Sequence, residues 1–158
     1  MNEITLAGIP IETSRSPKSR FRRLSQNISR VLGGLNGLAK VGLPQLFETE
    51  LVRLPAGAVN WSYHSHSAQC ELYLVISGRG QVRTPEGPVD IREGDCILHA
   101  PGQPHQIMNT GATDLIYHVV TNTPASDICH FPDSDKWLLP DRTHPVRVQS
   151  TDYYDGEE

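Results

Sequence analysis

The chain has 158 residues and a mass of 17.5 kDa, which fits one domain of ordinary size with tails. A formal net charge of -4 and a pI near 5.9 give no global attraction to nucleic acid or an anionic membrane, so small ligands or protein partners are expected. The 13 glycines and 12 prolines point to short elements joined by many turns, and hence to an all-β protein.

The opening MNEITLAGIPIETSRSPK has no basic segment followed by an apolar stretch, and nowhere do about eighteen apolar residues run together, so the cytoplasm is the expected location. Lys18 and Arg15, Arg20, Arg22, Arg23 and Arg30 gather between residues 13 and 30. Without interleaved aromatics they read as a solvated or subunit-crossing arm rather than a nucleic-acid surface. Ile28, Val31, Leu32, Leu35 and Leu38 fall at helical spacing, but Gly33, Gly34 and Gly37 interrupt them at a cost of roughly 1 kcal/mol each, so at most a short helix is expected. Residues 1–44 are therefore assigned to an N-terminal arm with a short helix.

From residue 45 to 123 short apolar runs alternate with turn formers: FETELVRL, WSYHSH, ELYLVIS, QVRT, PVDI, CILHA, HQIMN and DLIYHVVT, separated by PAG, GRG, PEG, REGD, PGQP and TGAT. No long helices intervene, which excludes a parallel βαβ sheet and predicts an antiparallel sandwich or barrel. Within WSYHSH, strand alternation puts His64 and His66 on one face. Two converging imidazoles with a carboxylate nearby, Glu71, form most of a transition-metal site. His105, which starts a strand after the PGQP turn, is the candidate fourth ligand. Alternation also places Tyr73 on the face of Glu71, where its hydroxyl could donate a proton or a hydrogen bond. Trp61 and Tyr63 are expected at the mouth. His118, with apolar residues on both sides, and His99 are expected to face away from the cavity.

After Thr123 the Pro- and Asp-rich PASDICHFPDSDKWLLPDRTHP is read as a loop packed over the barrel exterior, within a C-terminal extension and acidic tail spanning 124–158. Cys70, Cys96 and Cys129 are odd in number and without a CxxC pair, so reduced thiols are expected. Adjacent residues in an extended segment point opposite ways, so Cys129 and His130 are not a catalytic pair.

The spacing resembles the cupin superfamily, whose motifs are G(X)5HXH(X)3–4E(X)6G and G(X)5PXG(X)2H(X)3N. Gly57, His64, His66, Glu71 and Gly78 match the first, with six residues rather than five after Gly57. Gly94, Gly102, His105 and Asn109 match the second, with Ala100 in place of proline and Pro101 one position late. Both departures fall in turns and leave every donor atom in place. The resemblance implies a double-stranded β-helix (jelly-roll) barrel in which His64, His66, Glu71 and His105 hold one divalent transition metal (Fe, Mn, Ni, Zn or Cu). A homodimer is also implied. LPAG and CHFPDSDKW further resemble a group of bacterial single-domain cupins, a likeness that says nothing of substrate. The expected function is metal-dependent handling of a small oxygen-bearing molecule, of dioxygenase or isomerase type, with non-catalytic binding or sensing of a sugar or metabolite as the alternative.

Overall fold

A computed structural model describes residues 3–32 and 46–157. Among the described residues, twelve strands are arranged as one six-stranded and two three-stranded sheets. The large sheet has the order β1 (Glu12–Arg15), β2 (Arg22–Asn27), β3 (Phe47–Leu54), β10 (Leu115–Asn122), β5 (Glu71–Ser77), β8 (Cys96–His99). The smaller sheets are β7 (Gly87–Arg92), β6 (Arg79–Thr84), β9 (Gln106–Met108), and β12 (Lys136–Leu138), β11 (Cys129–Phe131), β4 (Ser65–His66). Every named strand pair is antiparallel. The all-β expectation holds, and the only α-helix among the described residues is the four-residue α1 (Ile28–Val31), whose N-cap Asn27 accepts a hydrogen bond from the Arg30 amide. Leu35, Leu38 and the three glycines read with them lie outside the described residues, as does the expected boundary at residue 44. No helix among the described residues is long and apolar enough to cross a membrane.

The inward positions of the three central strands change character along their length. On β3, Glu48 and Glu50 give way to the fully buried Val52 and Leu54; on β5, Glu71 and Tyr73 lead to Val75. The antiparallel β10 runs the other way, from Leu115 and Tyr117 through Val119 to Thr121. One end of the barrel is therefore a packed core completed by Val82, Ile91 and Ile107 from the facing sheet, and the other end is a polar opening. Gly78, with φ +87°, turns the chain from the large sheet into the facing one, and a Cβ there would lie 2.4 Å from the Asp114 carbonyl oxygen.

Two expectations are corrected. The basic N-terminal segment is not a free arm: β2 pairs with β3, and Arg23, on the inward face with the buried Ser25, forms an ion pair with Glu50 at 3.0 Å, whereas Arg15, Lys18, Arg20, Arg22 and Arg30 are exposed, as a solvated segment requires. Nor does the segment after residue 123 lie only on the exterior. Its β11 pairs with β4, Cys129 opposite His66 and His130 opposite Ser65, so it forms one side of the opening.

Candidate metal centre

His64 and His66 flank Ser65 on an extended stretch, and His64 is bridged to His105 by reciprocal backbone hydrogen bonds of 3.2 and 2.8 Å. That bridge sets the two motif segments side by side. Glu71 and Tyr73 enter from β5 on its inward face, both buried. His64 Nε2 lies 3.9 Å from Glu71 Oε2, His66 Nε2 lies 4.0 Å from Oε1, and His105 Nε2 lies 2.6 Å from Oε2. Donor atoms of His64, His66 and Glu71 all fall within 4.8 Å of one another, and His105 joins the group through Glu71. Ligands about 2.1 Å from a tetrahedral metal stand roughly 3.4 Å apart, a value these separations bracket.

The outer ring nitrogens decide what the inner ones offer. His64 Nδ1 is 2.7 Å from the Ser62 carbonyl oxygen and His105 Nδ1 is 3.1 Å from that of Gln103. A carbonyl can only accept, so each Nδ1 carries a proton, and Nε2 is the nitrogen left to offer its lone pair to a metal. His66 Nδ1 donates to Asp127 Oδ2 at 2.5 Å. The other Asp127 oxygen accepts from the Ala68 and Gln69 amides and from the Ser67 hydroxyl, fixing the loop that follows His66. Burial alone would raise the Asp127 carboxyl, but these hydrogen bonds outweigh it and keep the group ionised.

Burial, reinforced by the neighbouring His105, pushes His64 down to about 4, so it is neutral at pH 7. Burial opposes ionisation of Glu71, but the hydrogen bond and charge of His105, helped by His64 and His66, hold it down at about 2. Without a metal, the 2.6 Å contact between His105 Nε2 and Glu71 Oε2 is a hydrogen bond that needs a proton on Nε2; a divalent cation would take that proton's place between the two atoms. Three inward nitrogens and one carboxylate thus form a donor set that fits a divalent transition metal. Tyr73 Oη donates to Glu71 Oε2 at 3.0 Å and lies 3.3 Å from His105 Nε2. Its burial, followed by the Glu71 charge, raises the phenol, so it keeps its proton.

All five residues singled out from the sequence, His64, His66, Glu71, His105 and Tyr73, lie together. His99 corrects the reading that turned it away: it pairs across the strands with Glu71, is buried, and stacks on His105 at 3.9 Å with planes 2° apart. His118 lies on the opposite face of β10 from the buried Tyr117 and Val119, as expected. At the mouth, Trp61 is exposed, whereas Tyr63 is buried beneath the Arg83 guanidinium, itself paired bidentately with Asp133. Cys129 is buried, and desolvation followed by the charges of Asp127 and Glu71 pushes its thiol up to about 12, which leaves no thiolate for nucleophilic chemistry. Asp127, His99, Arg23, Glu48 and Glu50 went unread as site residues. Only the alternation of FETELVRL, which puts Glu48 and Glu50 on the face of Val52, signalled any of them.

Residues 50–121 match the family described as cupin domain. An oxalate-binding protein of Thermotoga maritima is 33% identical over 69 residues, 44% of this chain and 56% of that protein, and a protein of Methanocaldococcus jannaschii is 33% identical over 52 residues, 33% of this chain and 42% of that protein. The chain thus spans about half the length of the curated relatives it matches. The crystal structure of a sugar phosphate isomerase of the cupin superfamily from Silicibacter pomeroyi superposes with a TM-score of 0.73 at 23% identity, covering 91% of this chain and 90% of that one. That of a predicted oxalate decarboxylase from Thermotoga maritima superposes with a TM-score of 0.62 at 22% identity, covering 77% and 99%. At these identities the structural likenesses establish the fold.

Proposed function

We propose that the segment matching the cupin domain, residues 50–121, holds one divalent transition metal through His64, His66, Glu71 and His105, and that a small oxygen-bearing molecule is bound and transformed there. The convergence of three Nε2 atoms on Glu71, each ring fixed from behind by an Nδ1–H bond, carries this reading. When bound, the metal would supply Lewis acidity for isomerisation or, if redox-active, a site for oxidation by dioxygen. Tyr73 holds Glu71 in place and offers a protonated hydroxyl at the inner end of the cavity, where it serves as a hydrogen-bond donor and not as a base. Asp127 fixes the tautomer of His66.

The sugar phosphate isomerase likeness supports the isomerase form, whereas the oxalate-binding relative supports a second reading, binding without turnover. A homodimer has a physical route through β8, which among the described residues pairs only with β5 and exposes Leu98. Elemental analysis and calorimetric titration of the untagged protein, beside His66→Ala, test the metal reading. Near-stoichiometric metal in the parent and its loss in the folded variant are expected. A parent that neither holds nor takes up metal overturns the proposal.

A further inference from the structure

A cavity of about 180 Å³ opens outward from Glu71 and Tyr73 along the concave face of the large sheet. It is smaller than the roughly 300–1,000 Å³ of pockets for drug-sized ligands, so its occupant is a single small molecule. The lining is dominated by acceptors. Away from the metal ligands, Glu48 and Glu50 face one cation, Arg23, whose Nη1 is already engaged by Glu50. Glu48, half-buried and opposite Thr121 in the β3–β10 register, has no hydrogen bond or ion pair from its carboxylate to any described residue. Asn60, 6% exposed, lines the same cavity, and among the described residues neither its Oδ1 nor the Arg23 Nε has a partner. Trp61 stands at the rim, 44% exposed, with Arg23 4.6 Å from its ring centroid.

This balance discriminates between ligand classes. A carboxylate or phosphate between Glu48 and Glu50 would be repelled by both, and Arg23, the one positive side chain of the lining, is already paired with Glu50. A hydroxyl, by contrast, donates to either carboxylate in a short charge-assisted bond. An aromatic face at the rim suits the C–H face of a ring whose edge carries hydroxyls.

We propose that this cavity takes an uncharged, hydroxyl-rich molecule the size of a single-ring sugar or polyol. Glu48 and Glu50 accept its hydroxyl protons and Trp61 packs against its C–H face. Dicarboxylates and phosphate esters are disfavoured. The assignment rests on the proposed metal site, because it defines what reaches Glu71 and Tyr73 from outside.

The test is calorimetric titration of the full chain, zinc-loaded and metal-free, with neutral pentoses, hexoses and alditols, with oxalate and with glucose 6-phosphate. At least one neutral sugar or alditol is expected to bind. Glu48→Gln and Trp61→Ala should each weaken that binding, the former about ten- to a hundredfold as for a hydrogen bond to a charged group, and leave zinc affinity unchanged. The inference is overturned if no neutral compound binds below about 10 mM, if an anion binds better than all of them, or if Glu48→Gln leaves sugar affinity intact. Zinc uptake, measured first on the same sample, separates the two proposals. Absence of uptake overturns the metal reading, whereas zinc-loaded and metal-free protein that both ignore sugars overturn this one.

Discussion

Replacing Asp127 by Asn tests whether the site depends on the tautomer of His66. In the native chain Asp127 Oδ2 accepts from His66 Nδ1 at 2.5 Å while Oδ1 receives the Ala68 and Gln69 amides at 2.7 and 3.1 Å. An Asn keeps its carbonyl oxygen for those amides but turns an NH2 toward His66. Two donors cannot face each other, so the imidazole proton moves from Nδ1 to Nε2, the nitrogen that points at Glu71. Loss of such an outer partner costs about 10- to 100-fold in metal affinity, equivalent to roughly 1.4–2.8 kcal/mol. Asp127→Ala also strips the bonds to the Ser67–Gln69 loop. At about 1 kcal/mol net per bond, discounted for partial exposure, that change removes about 2–3 kcal/mol of unfolding free energy. Titration calorimetry with zinc, paired with denaturant unfolding, separates the two effects: Asn should lose affinity with near-native stability, and Ala should lose both. An Asn variant that binds zinc within about threefold of the parent would refute the tautomer argument.

Stability of the metal-free protein should fall in acid. His64 sits at about 4 against an ordinary 6.5, so the unfolded chain takes up a proton across that window that the folded chain refuses. The contribution is complete above about pH 6.5 and diminishes by up to about 3 kcal/mol on reaching pH 4. Glu71, at about 2 against 4.5, adds a second loss between those values. Denaturant melts at pH 7, 5.5 and 4 would contradict this if they coincide. Tyr73→Phe deletes the hydroxyl bonded to Glu71 and should cost about 1 kcal/mol, lowering Tm by about 2–4 °C while leaving zinc binding in place; an unchanged Tm would argue against that bond. Gly80→Ala drives a Cβ to 2.4 Å from the Met108 carbonyl oxygen and 2.8 Å from Leu115 Cδ2, which the β6–β9 pairing cannot relieve without shifting backbone. A loss of about 3 kcal/mol in denaturant unfolding is expected, and a loss below about 0.5 kcal/mol would show that the strands yield more easily than their packing implies.

The strands from Phe47 to Asn122 were readable because one face of each is buried, which imposes a period of two on apolar residues. His64, His66 and Glu71 were readable because strand geometry converts short spacing into proximity. Legibility ended where contacts are distant in sequence or where the inward face is itself polar. RRLSQN does not read as a strand, because its inward positions, Arg23 and Ser25, carry no apolar signal. His99 was misplaced because its neighbours are the cross-strand Glu71 and the stacked His105, which no local pattern reports. Asp127 sits 61 residues from the histidine it holds, in a segment whose Pro and Asp content looks like ordinary loop.

That separation makes the end of the fold a custodian of the site. β11 contributes only three residues and meets β4 in a two-residue pairing, so its detachment requires far less than melting the barrel. Such an excursion would withdraw Asp127 and free the His66 ring to rotate. The rate at which a bound ion exchanges with solvent would then clock the opening of the C-terminal strands, and heating would empty the site while the β-barrel is still intact.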